Sequence, residues 1–294
     1  METEKRNKFL SDIPFFDRDG VHEIYRERRK IFDSYGDRDI MAVAEIWVHP
    51  PTRATRYVRQ DELNQFFNFD VMNAPFDSKF LYESISQMLS LVKEQNSWPT
   101  WCLSNHDCER VASRIGDDAA RAMALFVLGL PGSTYIYNGQ ELGLPTGEMS
   151  DSDRQDPIYL RTGGREKGRD GARVPLPWSG DKSPFGFTTG KPWLPIQDSW
   201  RSFTVESEMN DPNSSLNLYK AALKLRRELF VDAGEISWIE TGKVLTYRRG
   251  KTMVLLNTSE TDYQIAQLNG EVLLSSHPIE GALPPRSAAW IRVN

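Results

Sequence analysis

The sequence predicts an α/β fold in which about four strand–helix units of a parallel sheet precede a small antiparallel β domain. Over residues 19–137, short apolar segments alternate with amphipathic helical patterns, an order typical of parallel β/α units. After Gly234 the pattern changes to short alternating strands, as in an antiparallel sheet with one solvated face. We therefore expect half of a (β/α)8 barrel over residues 1–232 and an antiparallel domain over residues 233–294.

The spacing of apolar residues gives the elements of the barrel portion in order. A rough helical period runs through residues 19–35 and again through residues 80–92. Residues 40–48 are apolar except for Glu45, and such a run suits a strand buried on both faces. The remaining strands are expected at residues 66–72, 100–104 and 133–137, and the remaining helices at 117–130 and 213–230.

The second half of the chain contains one long segment without a clear period. Residues 139–200 are rich in Gly, Pro and Asp, and a loop of this length in a compact domain is usually functional or a mistaken assignment. Beyond it, alternating apolar residues predict the antiparallel strands. These strands are expected at residues 235–240, 244–248, 253–257 and 288–293.

Composition and charge exclude several classes of protein. The 294 residues are 39% hydrophobic and 26% charged, which is ordinary for a globular chain with a sizeable core. The net charge is −5 and no Lys/Arg-rich block stands out, so neither a nucleic acid nor a membrane is expected as a partner. The first residues are polar, and no run approaches transmembrane length. Two cysteines imply no disulfide framework, and we expect a cytoplasmic protein.

Glu45 is anomalous because it lies within an otherwise apolar run. A buried carboxylate is costly unless it is paired. Glu45 is therefore either at an exposed strand end, or in a structural ion pair, or a catalytic carboxylate at the C-terminal end of a barrel strand. Its neighbours in the sequence do not decide between these interpretations.

The tripeptide Asn105-His106-Asp107 follows the predicted strand at 100–104. Three polar side chains at a strand end can face a site, but Asn and Asp also favour plain turns. Glu45 and Asp107 would then be carboxylates at the ends of two strands of one parallel sheet. Glycoside hydrolysis uses such a pair, in which one carboxyl group protonates the leaving oxygen and another attacks or stabilises the cationic sugar.

Other kinds of chemistry find little support in the sequence. The four histidines are scattered and no pair has the spacing of zinc ligands, so no metal is expected. Cys102 and Cys108 bracket the tripeptide, but nothing places a base beside them, and we interpret both as packing residues. No Gly-rich phosphate loop follows a strand, so no cofactor is expected.

Four segments occur in an order that one enzyme superfamily shares. AVAEIWV (42–48) resembles the end of its fifth barrel strand, and TWCLSNHDCERVASRIGD (100–117) the end of its seventh. STYIYNGQELGLP (133–145) resembles the eighth strand, and GRDGARVPLPW (168–178) an RD-x-x-R-x-P-x-x-W segment. On these segments the chain resembles the alpha-amylase superfamily of glycoside hydrolases (family 13 type), in the branch of alpha-glucosidases and oligo-1,6-glucosidases.

The resemblance implies a TIM-type barrel with a C-terminal antiparallel domain and a role for each matching residue. Glu45 matches the general acid/base and Asp107 the carboxylate that stabilises the transition state. His106 matches a sugar-binding histidine, and Arg110 and Arg173 lie in segments that contact substrate. The implied activity is that of a retaining alpha-glucosidase, which hydrolyses alpha-glucosidic bonds of short oligosaccharides or disaccharides.

One segment of the superfamily has no counterpart in this sequence. Its nucleophile is an Asp after the fourth barrel strand, in a segment such as G-F-R-x-D, and nothing here resembles it. SDIPFFDRDGVHEIYRE (11–27) resembles the stretch that follows that strand. We therefore expect strands five to eight of the barrel. The alternatives to a complete enzyme are an inactive fragment and one half of a split enzyme, with a complementary N-terminal half as partner.

Overall fold

The computed structural model describes residues 13–265 and 269–293. Its first part contains four short parallel strands, which pair two by two. The pairs are β1 (Val43–Ala44) with β2 (Gln65–Phe66), and β3 (Thr100–Cys102) with β4 (Ser133–Tyr135).

Side chains connect the two strand pairs. The Thr100 hydroxyl donates a hydrogen bond to the carbonyl of Phe66 and accepts one from the backbone N–H of Asn68 at 3.2 Å. The Gln65 amide donates to the Ser133 hydroxyl at 2.7 Å. The four strands are therefore held in one curved array, and the C-terminal ends of all four face the same edge.

Helices alternate with the strands and cover the outside of the array. Two of the longer ones begin at side-chain caps: Asp77 accepts from the backbone N–H of Phe80 at 2.8 Å, and Ser214 from that of Asn217 at 3.1 Å. None of the helices described is both long and apolar enough to cross a bilayer. The helices are α1 (Val21–Asp33), α2 (Pro51–Ala54), α3 (Phe69–Met72), α4 (Ser78–Glu94), α5 (Val111–Ile115), α6 (Asp117–Gly129), α7 (Pro157–Arg161), α8 (Val205–Asn210) and α9 (Ser215–Leu229).

The strand expected at residues 66–72 is wrong beyond Phe66. The strand ends at Phe66, and α3 follows after two residues. The cause is Asn68, whose side chain accepts a hydrogen bond from the backbone N–H of Asp70 at 3.1 Å and caps the helix. A short apolar run fits a strand or a buried helix equally well, so periodicity alone does not separate them.

The C-terminal part is a five-stranded antiparallel sheet, and the four strands expected there are found within two residues of their predicted bounds. The fifth strand, Gly270–Ser275, and a separate two-stranded ribbon of Tyr263–Gln264 with Ala282–Leu283 were not anticipated. The boundary expected between residues 232 and 233 stays a prediction. The strands are β5 (Ser237–Thr241), β6 (Val244–Arg249), β7 (Thr252–Asn257), β8 (Tyr263–Gln264), β9 (Gly270–Ser275), β10 (Ala282–Leu283) and β11 (Ser287–Val293), with the order β5-β6-β7-β11-β9 in the main sheet.

The barrel portion and the antiparallel sheet share one core, and α6 lies between them. From Ala119 onward, α6 is buried along almost its whole length. Trp290 and Tyr247 of the sheet donate hydrogen bonds to its backbone carbonyls at 3.0 and 2.7 Å. The indole and phenol therefore satisfy their polar atoms while burying large apolar surfaces.

Two arginines, the buried Arg249 and the half-buried Arg226, hold the C-terminal end of α6. Arg249 of β6 donates to the carbonyls of Gly129 and Leu130 at 3.1 and 3.0 Å, and to that of Phe230 at 3.1 Å. Arg226 of α9 also donates to Leu130, at 3.0 Å. Burial lowers the pKa of both guanidinium groups, but the helix end offers the partial negative charge that a cation needs there.

We expect Arg249→Met to lower the free energy of unfolding by about 2–4 kcal/mol, because several buried carbonyls lose their donor. Chemical denaturation monitored by circular dichroism measures the change. Arg248→Met is the matched control, since Arg248 is the neighbouring residue on β6 and its side chain is exposed. Equal losses for the two variants would contradict a specific role for Arg249.

Glu208 is a buried carboxyl group in α8. It is 6% exposed, and its Oε2 accepts from the backbone N–H of Leu216 at 2.8 Å. Burial raises the pKa of Glu208 to about 7, and Asp117 and Glu141 add to the rise while Arg121 opposes it. This pKa exceeds the ordinary value of 4.5, so the folded protein holds the proton more tightly than the unfolded chain.

It follows that the stability due to protonated Glu208 is full below about pH 4.5 and is lost as the pH rises through 7. We expect Glu208→Gln to stabilise the protein at pH 8 by roughly 2 kcal/mol and to have little effect at pH 4.5. The glutamine keeps an acceptor for Leu216. Melting temperatures across this range measure the difference, with the exposed Glu228→Gln as control. A pH-independent effect of Glu208→Gln would contradict the raised pKa.

Candidate active site

The two carboxylates and the histidine singled out in the sequence lie together at one edge of the strand array. Glu45 directly follows β1, and His106 and Asp107 follow β3. One side-chain donor atom from each lies within 4.8 Å of the others. Glu45 and His106 are exposed and Asp107 is half-buried, so Glu45 lies at an open strand end and not inside a buried run. The three side chains therefore face a common space that solvent and a ligand can reach.

Asn105 gives the loop after β3 its shape. Its side-chain oxygen accepts hydrogen bonds from the backbone N–H groups of Asp107 and Cys108 at 2.9 and 3.0 Å. This is the turn that the plain interpretation of the tripeptide required. The turn and the site are not alternatives, because the turn is what directs His106 and Asp107 toward Glu45.

Two arginines converge on a single oxygen of Asp107. Arg169 Nη1 and Arg173 Nη2 each donate to Asp107 Oδ1 at 2.8 Å. Arg173 Nε also donates to the backbone carbonyl of His106 at 2.9 Å. No described residue donates a hydrogen bond to Oδ2 of the same carboxylate. Asp107 is thus fixed through one oxygen and presents the other to a ligand.

Arg169 and its partner Asp156 were missed from the sequence. The Asp156 carboxylate accepts from Arg169 Nε at 2.6 Å, which holds its own pKa well below the usual range and raises that of Arg169. Arg169 lies in segment 168–178, whose resemblance to the superfamily singled out Arg173. The same resemblance could have singled out Arg169. Nothing in the sequence singles out Asp156, because its only marker is a contact formed by folding.

The expectation that Arg110 contacts substrate is wrong. Arg110 is 1% exposed, and its guanidinium donates to the backbone carbonyls of Asn138 and Ala172 at 2.7 and 3.0 Å. It also lies 5.0 Å from the centre of the Tyr137 ring. Burial lowers the pKa of Arg110, and no face of it remains for a ligand. Arg110 instead supports the turn at Ala172, which carries Arg173 toward Asp107.

A cavity of about 210 Å³ adjoins the carboxylates. The rings of Phe67 and Tyr135 meet edge to face at 4.8 Å in its wall, and Trp47 stacks on Phe69 at 4.0 Å behind it. Aromatic walls with a few convergent polar groups suit the mixed apolar and polar surface of a sugar ring. The lining consists of Glu45, Phe67, Phe69, Cys102, Ser104, Asn105, His106, Tyr135, Ile136 and Tyr137.

Two other kinds of chemistry at this edge can be weighed from the geometry. Glu45, His106 and Asp107 each offer one ligand atom, so together they have the donors for a divalent cation. The two guanidinium groups on Asp107 already supply positive charge there, which works against a cation. Burial raises the pKa of the Cys102 thiol to about 12, the opposite of what a nucleophilic cysteine needs.

A family model for the catalytic domain of alpha amylase matches residues 2–233. The chain belongs to the alpha-amylase family. This confirms the superfamily that the four sequence segments indicated. The fold class is confirmed as well: the chain has the C-terminal half of the family's TIM-type barrel, followed by an antiparallel β domain.

Among individual members of the alpha-amylase family, the chain is similar to the probable oligo-1,6-glucosidase 2 of Bacillus subtilis (strain 168). The two are 31% identical over 250 residues, which cover 71% of this chain and 43% of that protein. A trehalose-6-phosphate hydrolase of the same organism is 31% identical over 246 residues, 70% of this chain and 43% of the other. The chain spans about half the length of the curated relatives it matches.

Solved structures of the family share the fold. The alpha-glucosyl transfer enzyme XgtA is 28% identical and superposes with a TM-score of 0.79, over 94% of this chain and 55% of that one. An isomaltulose synthase from a Klebsiella strain superposes with a TM-score of 0.83 at 23% identity, which shows the fold alone. In both cases the match takes in the barrel strands and the antiparallel sheet together.

Proposed function

We propose that this chain carries the acid/base side of a retaining alpha-glucosidase site, with Glu45 as general acid/base and Asp107 as the stabilising carboxylate. The observation that supports this most strongly is their convergence within 4.8 Å at one strand edge, beside His106. An exposed carboxyl group beside a second carboxylate that is fixed by hydrogen bonds suits protonation of the leaving oxygen and stabilisation of the sugar cation at one place.

In the proposed reaction, protonated Glu45 donates its proton to the glycosidic oxygen as the bond to the sugar breaks. As a carboxylate, it then removes a proton from the water that releases the sugar. Asp107 Oδ2 accepts a sugar hydroxyl, and its charge favours the cationic transition state. Arg169 and Arg173 hold Asp107 Oδ1 and so fix the direction of Oδ2, and His106 donates to another hydroxyl of the same sugar.

A third carboxylate must attack the sugar in this mechanism, and we propose that a complementary N-terminal half supplies it. Within the described residues, the acidic members of the cluster are Glu45 and Asp107 alone. β1 pairs only with β2 among the described strands. Ile24, Ile31 and Tyr35 of the α1 region are also more than half exposed. An open strand edge and an apolar helix face suit the docking of further β/α units.

The proposed substrates are short alpha-glucosides, which the names of the similar oligo-1,6-glucosidases and trehalose-6-phosphate hydrolases favour. We propose a cytoplasmic location, since two cysteines in 294 residues imply no disulfide framework.

The test joins residues 1–294 behind the N-terminal half of the Bacillus subtilis oligo-1,6-glucosidase relative, which gives what we call the complemented protein. We expect it to hydrolyse aryl alpha-glucosides and residues 1–294 alone to show no turnover above background. The relative rejoined at the same point is the positive control. Hydrolysis of beta-glucosides only would refute the reaction class, and saturable turnover by residues 1–294 alone would show that they already contain a nucleophile.

A further inference from the structure

We infer that Asp156 is a positioning residue, which acts through Arg169 to fix the orientation of the Asp107 carboxylate. The inference deepens the proposed function and rests on it for the role of Asp107. Asp156 itself touches neither Glu45 nor the cavity. It reaches the site only through the guanidinium group that it shares with Asp107.

The contacts of Asp156 are unusually complete for a loop residue. It is 3% exposed and accepts three hydrogen bonds from Arg169: from the backbone N–H at 3.0 Å, from Nε at 2.6 Å and from Nη2 at 3.3 Å. The backbone N–H of Ile158 donates a fourth, at 3.2 Å. Burying a carboxylate is costly unless it is paired and hydrogen-bonded, so this site requires the arginine.

The residues on either side of Arg169 also contact Asp156 and its neighbour in the chain. Asp170, which is also buried, accepts from the backbone N–H groups of Gln155 and Asp156 at 2.8 and 3.0 Å. Gly168 has a φ of +75°, and a Cβ there would lie 2.7 Å from the Cβ of Asp156. Residues 155–156 and 168–170 therefore accept hydrogen bonds from each other, and together they fix the backbone on both sides of the Asp156–Arg169 ion pair. We call these two segments the clasp.

The geometry of the guanidinium group explains why the clasp affects Asp107. Its Nε and Nη2 edge is held by Asp156, which leaves Nη1 directed at Asp107 Oδ1, 2.8 Å away. The Arg169 side chain is 41% exposed. Without Asp156 it would regain the rotamer freedom of a surface arginine, and the bond to Asp107 would have to oppose that entropy alone.

A purely structural role for Asp156 predicts something different. Arg173 also binds Asp107 Oδ1, so the site loop keeps one anchor when Arg169 is released. If Asp156 only stapled the loop, its loss would lower stability without changing how the site holds a ligand. If it positions Arg169, ligand affinity must fall even where the fold is intact.

The first test is the side-chain Nε–H resonance of Arg169 in residues 1–294 labelled with ¹⁵N-arginine, assigned by its loss in Arg169→Lys. We expect slow solvent exchange in the wild type and fast exchange in Asp156→Asn. Asp151→Asn is the matched control, because Asp151 is an exposed carboxylate of the same loop, paired with Arg154 and Lys167. An Arg169 signal that is unchanged in Asp156→Asn, or that exchanges freely in the wild type, overturns the inference.

The second test titrates 1-deoxynojirimycin, an amine with the shape of glucose, into the complemented protein and follows the backbone signals of residues 105–107. We expect Asp156→Asn and Arg169→Lys each to weaken binding on the order of tenfold, and the double variant to lose no more than either. Additive losses overturn the inference. If Asp156→Asn does not fold, the effect of Arg169→Lys on binding still tests the path through Arg169. A wild-type complemented protein that binds no iminosugar counts against the proposed function alone, and the Arg169 resonance then decides the inference.

Discussion

Glu45→Gln in the complemented protein should lower kcat/KM for alpha-glucosides with poor leaving groups by about 10²- to 10⁴-fold. General acid–base catalysis contributes about this much, and a glutamine amide neither protonates the leaving oxygen nor activates water. The loss should shrink for aryl glucosides with good leaving groups, because their departure needs little protonation. Steady-state kinetics on a series of aryl alpha-glucosides measures the effect.

The matched control for Glu45 is Glu109→Gln. Glu109 is an exposed carboxyl group two residues beyond Asp107, and its side chain makes no ion pair in the described structure. We expect its kinetics to equal those of the wild type. A Glu45→Gln variant with wild-type kcat/KM on every leaving group would place the general acid elsewhere.

Asp107→Asn should lower kcat/KM by roughly 10²- to 10³-fold, the magnitude typical for loss of one electrostatic group that acts on the transition state. The asparagine removes the charge that stabilises the sugar cation. It also removes the counter-ion of Arg173 and one of the two carboxylates that bind Arg169. The measurement is kcat and KM for an aryl alpha-glucoside in the complemented protein.

Asp181→Asn, an exposed carboxyl group in the long segment 139–200, is the control for Asp107→Asn. We expect the fall in kcat/KM for Asp107→Asn to include a fall in kcat, because its charge acts on the transition state. A rise in KM with unchanged kcat would assign Asp107 to uniform substrate binding, and would contradict its stabilising role.

The convergence of Glu45, His106 and Asp107 could be predicted from the sequence for a simple reason. Glu45 directly follows β1, and His106 and Asp107 lie in the loop after β3. Because parallel strands end at the same edge of a sheet, the order of strands and loops along the sequence predicts that these residues meet. Exposure could not be predicted in the same way. Glu45 follows a two-residue strand, β1, so most of the apolar run 40–48 lies outside the strand.

The arginines show where sequence reasoning fails. Arg110 and Arg173 both lie in segments that resemble substrate-binding segments, yet one is buried against backbone carbonyls and the other reaches Asp107. The difference arises from packing between residues about 60 positions apart. Asp156 and Arg169 are separated by 13 positions in a segment without periodicity, so no local pattern predicts that they meet. Only the folded loop reveals the pair.

Some short strands and helices were not predicted, because a few residues cannot show a period. β8 and β10 have two residues each, too few for alternation to be visible. α3 has four residues and depends on the Asn68 side chain more than on its apolar residues. The long helices α4, α6 and α9 were found because several turns of apolar spacing outweigh any single residue.

The most direct measurement of the proposed site is the product that a Glu45→Ala complemented protein forms from an aryl alpha-glucoside in sodium azide. An aryl leaving group needs no acid, so the glycosyl-enzyme still forms, and its hydrolysis is slow without a general base. Azide needs no base and can occupy the space vacated by the side chain. We expect azide to restore turnover and to give alpha-glucosyl azide. Beta-glucosyl azide, or no azide product from a folded variant that is otherwise inactive, would contradict the assignment of Glu45 as the acid/base of a retaining alpha-glucosidase.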